Sequence, residues 1–485
     1  MKPANLLFIL SDNHARTALG AASGGLVRTP HLDALAARGT RFTAAYTASP
    51  ICCPARASIA TGRYPHETGY WDNAITYDGR VPTWHHRLRE AGHDCAAIGK
   101  LHFRSLDDDN GFTEEIGTMH ILGGKGGVSM LLRWCGEEPV NVGQWELYAD
   151  RSGEGTTTYQ AYDSDITRKA VAWLEERARS AIGPWALMVS YVSAHPPFSV
   201  PQRLLDLYRD VDIPLPPQFS PAERSQHPAS LHHRHIFATR DLDGGMLRRI
   251  ARAYFALCTH LDEQIGEVIA ALTRLGLMAD TRVIYTSDHG DMLGAHGLLG
   301  KFHLYEGSAG VPLIMAGPDV PEGQVVDEPV SHIDLYPTIL DGFGVASTAP
   351  PPSACSLWPV MAGRQRPAPV FAEYHAAGSR AGSFMLRAGR DKLIYDVGAP
   401  PQLFDIASDP NETTDIAATV DGTIRATSLE EQLRAICDPE EVDRRAKGDQ
   451  QAKVEFWGGM EVVRDEGLLV YTPAPGTTAE IEKAP

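Results

Sequence analysis

With 485 residues and 43% hydrophobic content, the chain carries more apolar material than one simple core requires, so one large domain with a smaller appendage is expected. Lysine and arginine total 44 against 61 aspartates and glutamates, a formal net charge of −17 that excludes nucleic acid as a partner. The seven cysteines (52, 53, 95, 135, 258, 355 and 437) are odd in number and lack metal-type CxxC spacing, which suits reduced thiols in a cytoplasmic protein.

In chain order, the first element is "NLLFIL" (5 to 10), a short apolar run typical of a parallel strand buried on both faces. It is too short for a signal-peptide core or a membrane span, no later segment approaches the length either needs, and no membrane partner is expected. The run stops at Ser11-Asp12-Asn13, so polar groups begin at the strand's carboxyl end. "TPHLDALAARG" follows as a helix, with Thr29 as N-cap, Pro30 in the first turn and Gly39 as the stop.

Next comes "ASPICCPARASIATGRYPHETG" (48 to 69). Pro54 suits the first turn of a helix, which places Cys52 and Cys53 at its entrance, where the helix dipole and Arg56 favour an anionic oxygen or sulfur. Taken alone, two thiols before a proline read more readily as small buried hydrophobes in a tight turn.

The alternation continues with "HDCAAIG" as a strand, "DSDITRKAVAWLEERAR" as a capped helix and "PWALMVSYVS" as a strand. "LDEQIGEVIAALTRLGL" then reads as an amphipathic helix and "TRVIYTS" as a strand. Such an order predicts an α/β fold with a mostly parallel central sheet covered by helices on both faces, and ligands beyond the strands' carboxyl ends. Polar clusters follow four strands: Asp12-Asn13, Lys100 with His102, His195, and Asp288-His289. They are expected to converge on one rim.

Two proline-rich stretches read as a surface insertion (198 to 240) and a linker ("ASTAPPPSACSLWPVMAGRQRPAP"). Within the first, "HHRH" (232 to 235) has no carboxylate partner and is expected to be a solvated loop rather than a metal site. The catalytic domain is placed at 1–365. From 366 to 485, the runs "VFAEY", "SFMLRAGRDKLIYDV" and "QLFDI" and an acidic helix near 428 to 437 predict a C-terminal α+β subdomain with a small antiparallel sheet. Its tail keeps aromatic and aliphatic residues, as expected if it packs on the body or on a second subunit of a homo-oligomer.

Cys52-Cys53-Pro54-Ala55-Arg56 with Thr61-Gly62-Arg63 resembles the C-x-P-x-R signature of the type I, formylglycine-dependent sulfatases of the alkaline phosphatase superfamily. The likeness extends to "IGKLHF", "SAHPPF", "SDHG", "LLGKFHLYEGS", "VSHIDLYPTILDGFG" and "LFDIASDPNET", and so spans nearly the whole chain. It implies the alkaline phosphatase-like three-layer α/β/α sandwich. It also implies hydrolysis of an aryl or alkyl sulfate monoester through a sulfated formylglycine, made from Cys52 by a separate maturation enzyme. One of the aldehyde hydrate's two hydroxyls attacks sulfur, and loss of the other's proton then expels sulfate.

By the same resemblance one divalent metal, calcium or manganese with magnesium also admitted, is held by Asp12, Asn13, Asp288, His289 and the residue at Cys52. Three oxygen donors and one imidazole suit such hard cations better than a tetrahedral zinc site. The family more often has aspartate at position 13 and asparagine at 289. Lys100 is implied as a ligand of a substrate oxygen, His102 as the base that regenerates the aldehyde, His195 and Lys301 as contacts to the sulfate and leaving-group oxygens, and Asn73 as a contact to the transferred group.

Phosphonate monoester and phosphodiester hydrolases of the same superfamily are the nearest alternative, and the Lys100-x-His102 pair favours sulfate over them. A non-catalytic homologue would have lost Cys52, Arg56 or the carboxylates, and a serine or threonine phosphatase would lack cysteine at 52. The alcohol half of the substrate is left open by the sequence, with Trp71, Trp84, Trp134, Tyr305 and the 198–240 insertion as candidate walls of its pocket.

Overall fold

The first apolar run forms β1 (Asn5–Ser11), buried from Leu6 onward because parallel neighbours flank it and helices cover both faces. The computed structural model describes residues 2–128, 145–180, 183–236, 242–346, 351–469 and 471–482; Trp134 and Cys135 lie outside them.

β1 is joined by β2 (Gly39–Tyr46), β3 (Asp94–Lys100), β4 (Glu114–Met119), β5 (Trp185–Ser190), β6 (Thr281–Ser287), β7 (Gly310–Ala316), β8 (Gln324–Val326) and β9 (Val330–Ser331). They form a nine-stranded sheet in the order β8-β2-β7-β6-β1-β5-β3-β4, with β9 also paired to β2. Only β7 runs antiparallel to its neighbours β2 and β6. The carboxyl ends of β1, β3, β5 and β6 therefore lie side by side on one rim.

The covering helices are α1 (Pro30–Ala37), α2 (Cys52–Thr61), α3 (Trp84–Glu90), α4 (Thr158–Ser180), α5 (Gly244–Arg274) and α6 (Leu335–Phe343). Leu7 and Ile9 pack with Leu32, Ile166, Ile265 and Val268 from α1, α4 and α5. On the opposite face Leu6, Phe8 and Leu10 pack with Ala57, Trp84, Leu88 and Ile339 from α2, α3 and α6. This strict alternation makes β1 the shared spine of both cores. Truncating fully buried Leu7 to alanine would cost about 2–5 kcal/mol.

The C-terminal part is an antiparallel sheet of β10 (Val370–Tyr374), β11 (Ser383–Ala388), β12 (Asp391–Asp396) and β13 (Gln402–Asp405). Helix α7 (Val420–Ile436) lays Leu429 and Leu433 on Phe371, Phe384, Leu393 and Leu403, and α8 (Pro439–Phe456) follows it. The sheet is fastened to the large domain by buried Lys392, which pairs with Glu306 at 2.8 Å and Glu412 at 2.7 Å, while Glu306 also pairs with Arg16.

Several local expectations are corrected. Gly39 opens β2 instead of ending α1, whose last turn closes at Arg38. The helix expected to begin at Asp163 begins at Thr158, and Asp163 is an internal, buried residue that accepts from the backbone N–H groups of Val192 and Ser193. Residues 232–235 lie in a helix (Pro228–Ile236), with the His233 ring buried 3.8 Å from that of His303. The stretch read as a linker is docked where it is described: Leu357 is fully buried, and Arg366 grips Asp334 through two 2.9 Å bonds. No helix among the described residues is long and apolar enough to cross a membrane.

Candidate active site

Helix α2 starts at Cys52, and every residue in it is buried. Asn73 Oδ1 accepts from the Cys53 backbone N–H at 3.0 Å, satisfying one of the donors that a helix start leaves open. The far end turns on Gly62 at φ 68, where a Cβ would meet Tyr336 at 2.7 Å, so only glycine serves. A helix this enclosed holds its first side chain at a fixed point on the rim.

Arg56, one turn along, is buried with its donors shared among four acceptors. Nε reaches Asp288 Oδ2 at 2.9 Å, Nη2 reaches Asp12 Oδ2 at 3.2 Å, and Nη1 reaches Lys100 O at 2.6 Å and Ser190 Oγ at 2.9 Å. These partners end β6, β1, β3 and β5, so one guanidinium ties four strand ends to helix α2. Burial alone would lower its pKa, but Asp288 and Asp12 hold it raised.

Four potential ligand atoms, from Asp12, Cys52, Asp288 and His289, lie within 4.8 Å of one another. His289 Nδ1 is 3.1 Å from Gly290 O, which leaves Nε2 facing the cluster, 3.4 Å from Cys52 Sγ. Asn13 gives an independent sign of a cation position. Its amide nitrogen donates to Asp291 Oδ2 at 2.8 Å, while Oδ1 is buried without a hydrogen-bond partner among the described residues. Two carboxylates, an amide oxygen and an imidazole fit a hard divalent cation.

The electrostatics fit the same picture. Burial, and then repulsion from Asp12, push the Asp288 carboxyl up to about 6. Burial also works against Asp12, yet Lys100 and then Lys301 hold it well below the usual carboxylate range. Lys100 Nζ sits 2.7 Å from Asp12 Oδ2, and Lys301 Nζ donates to Cys52 Sγ at 2.8 Å.

The neighbouring histidines are neutral. Burial first, then Lys301, lowers His195 well below its ordinary pKa; burial first, then Lys100, does the same to His102. His195 Nδ1 lies 2.6 Å from Pro196 O, which leaves Nε2 for the cavity. Cys53 is fully buried, and burial pushes its thiol pKa up, which makes it unreactive.

Cys52, Asn73, Lys100, His102, His195 and Lys301 thus line one cavity of about 60 Å³. Asp12, Asn13, Asp288, His289 and Arg56 stand beneath it. Trp71 and Trp84 are core residues, and Tyr305 borders a second cavity of about 150 Å³. The catalytic cavity is walled instead by Tyr148, Tyr159, Phe302, Leu469 and Tyr471. Sequence reasoning also missed Asp291, Asp163 and Thr472. Asp291 follows Asp288 by three residues in "SDHGD" and was open to discovery as part of that cluster; the others carry no local signal.

The family profile described as Sulfatase matches residues 4–345, and the profile described as N-sulphoglucosamine sulphohydrolase, C-terminal, matches residues 294–438. The chain belongs to the sulfatase family, within the alkaline phosphatase superfamily. It is 34% identical to the choline-sulfatase of Rhizobium meliloti (strain 1021), covering 97% of this chain and 93% of that one. It is 31% identical to arylsulfatase K of Danio rerio, covering 90% and 84%.

Among solved structures, a protein in complex with its substrate D-glucosamine-2-N,6-O-disulfate matches the fold with a TM-score of 0.72 at 22% identity, covering 92% of this chain and 99% of that one. The phosphonate monoester hydrolase from Silicibacter pomeroyi matches with a TM-score of 0.71 at 25% identity, covering 89% and 94%. The activity of this sulfatase is hydrolysis of a sulfate ester.

Proposed function

We propose that the chain hydrolyses a sulfate monoester with a compact alcohol half, using a formylglycine made from Cys52 by a maturation enzyme and one divalent ion. Asp12, Asn13, Asp288 and His289 would hold the ion, with calcium or manganese preferred and magnesium admitted. The observation that carries the reading is the placement of Cys52 Sγ, 2.8 Å from Lys301 Nζ and 3.4 Å from His289 Nε2, at the start of a fully buried helix. The hydrated aldehyde would supply a hydroxyl nucleophile, and a bound divalent ion would supply the positive charge that lowers the hydroxyl's pKa.

The chain's own residues do the rest. Lys100 and Lys301 present ammonium groups to the sulfate oxygens, and His195 Nε2 faces the leaving-group oxygen. His102 takes the proton whose loss releases sulfate. Each donor acts from inside the protein, where water does not weaken it. A cavity of about 60 Å³ walled by Tyr148, Tyr159, Phe302 and Tyr471 suits a small alcohol, and such rings favour a cationic one. The choline-sulfatase relative points the same way. A cytoplasmic location and a homo-oligomeric state belong to this reading on the sequence grounds already given.

The test is peptide mass analysis of Cys52 in protein matured in a competent host, with metal analysis and kcat/KM on choline sulfate, an aryl sulfate and an aryl phosphonate monoester. Formylglycine at 52, one bound divalent ion and a preference for choline sulfate are expected. An intact thiol in fully active protein overturns the nucleophile, and a phosphonate preference overturns the substrate class.

A further inference from the structure

His102 is held in an unusual way. Its backbone is fixed at φ 59, with its N–H on Met119 O at 2.9 Å and its carbonyl accepting from Thr76 Oγ1 at 2.9 Å. His102 is 4% exposed, and its ring makes a single side-chain hydrogen bond among the described residues, between Nε2 and Thr472 Oγ1 at 2.7 Å. The other ring nitrogen, Nδ1, is buried without a hydrogen-bond partner among the described residues. Thr472 lies 370 residues downstream, in the C-terminal tail.

That tail segment is anchored independently of His102. Ala474 is buried in the core that covers α4, and the Tyr471 ring meets Tyr159 edge-on at 5.2 Å. Tyr159 donates to the Thr472 carbonyl at 2.6 Å. Tyr471 donates to Glu480 Oε1 at 2.7 Å, and Glu480 in turn accepts from Arg151 at 2.8 Å. The Thr472 hydroxyl is therefore presented to His102 by a fixed backbone.

A neutral imidazole carries one proton, and the Thr472 hydroxyl can either accept from Nε2–H or donate to Nε2; donation would leave the proton on Nδ1 as a buried N–H with no acceptor among the described residues, so acceptance from Nε2–H is the arrangement that leaves no donor unsatisfied. We infer that Thr472 is a positioning residue for His102: by accepting from Nε2–H it holds the ring in the tautomer whose Nδ1 lone pair is free to take a proton in the cavity. This rests on the base role proposed for His102. With the opposite tautomer, Nδ1 already bears its proton and cannot serve. The tail thus completes the catalytic machinery from the far end of the chain.

The test uses the full-length protein in two states. In unmatured, metal-free protein with ¹⁵N-labelled histidine, assigned against His102→Gln, the His102 ring is expected as a single Nε2–H tautomer in wild type and in Thr472→Ser. In Thr472→Val it is expected as a mixture. In the matured enzyme Thr472→Val should lower kcat roughly tenfold with KM within about twofold, since one hydrogen bond is removed, and Thr472→Ser should restore it.

A rapid-mixing burst approaching one equivalent in Thr472→Val would place the loss in the step that releases sulfate. An unchanged tautomer in Thr472→Val, or equal losses in the valine and serine variants, overturns the inference. If the valine variant fails to fold, Thr472→Ala carries the same expectations. The labelling experiment needs no turnover, so an inactive wild type would count against the proposed function and leave the tautomer result to decide the role of Thr472.

Discussion

Lys301 Nζ lies 2.8 Å from Cys52 Sγ, and its ammonium charge is held by that sulfur, Asp12 and Asp288 in spite of burial. The next residue along the helix, Cys53, points into the core, where burial pushes its thiol pKa up. Two adjacent cysteines therefore have separable fates. Cys52→Ala should abolish turnover while the folded state persists, and Cys53→Ala should keep kcat within a few-fold at a stability cost of about 1–2 kcal/mol. Lys301→Ala should lower kcat by roughly 10²–10³, as expected for removing one buried donor to developing charge. Steady-state kinetics with a thermal melt of each variant checks all three, and equal activity losses at 52 and 53 would contradict the assignment.

The second prediction concerns pH and metal. Asp288 is raised to about 6 by burial first and by Asp12 second, so below that pH the metal-free site keeps a proton there. The sign follows. The raised pKa gives the metal-free protein stability that is present below the ordinary aspartate value and lost as pH rises through about 6, because two like charges are then buried together. A divalent ion removes that repulsion. Calcium or manganese should raise the melting temperature most above pH 6, and affinity should fall about tenfold per pH unit below it as one proton competes. Calorimetric titration from pH 5 to 8 measures this; an affinity that is flat across the range would remove Asp288 from the ligand set. Asp288→Asn should flatten the profile.

The rim of the sheet was legible because its grammar is local. Each site strand is a short apolar run that stops at a polar residue: Asp12 after Leu10-Ser11, Lys100 after Gly99, Asp288 after Ser287. A parallel sheet then puts those ends together by topology alone. The walls of the cavity were not legible, because Tyr148, Tyr159, Phe302 and Tyr471 come from four separate segments whose meeting depends on packing. The linker reading failed for a related reason. Proline and serine content marks a loop, yet this stretch is docked by Leu357, Val360 and Met361 in the core and by the Arg366 guanidinium on Asp334, which composition does not register.

That guanidinium supports a third prediction. Arg366 forks onto both Asp334 oxygens at 2.9 Å and also donates to the carbonyls of Ser353, Ala368 and Pro369. Asp334 precedes α6 and is fully buried, so removing its partner strands a charge in the interior. Arg366→Ala should cost about 3–5 kcal/mol, whereas the double variant Arg366→Leu with Asp334→Leu should recover part of it. Urea unfolding curves give both values, and a loss under 1 kcal/mol would mean that the pair is solvated in solution.

Phe302 separates the catalytic cavity from the larger one of about 150 Å³ and lines both. It does so at φ 88, a region that favours glycine, with its N–H held on Pro50 O at 3.1 Å beside Lys301. Two effects oppose each other on substitution. Removing the buried ring costs about 3–5 kcal/mol, but glycine relieves the left-handed backbone while alanine does not, so Phe302→Gly should be more stable than Phe302→Ala by about 1 kcal/mol, the reverse of the usual order. Loss of the ring joins the two cavities. The ratio of kcat/KM for a bulky aryl sulfate over a small alkyl sulfate should rise in both variants, because the wall that limits the alcohol half is gone while Lys301 stays hydrogen-bonded to the residue at 52. An unchanged ratio, measured on folded protein, would show that the alcohol half leaves the site in another direction and that the Tyr148, Tyr159 and Tyr471 side of the cavity sets its size.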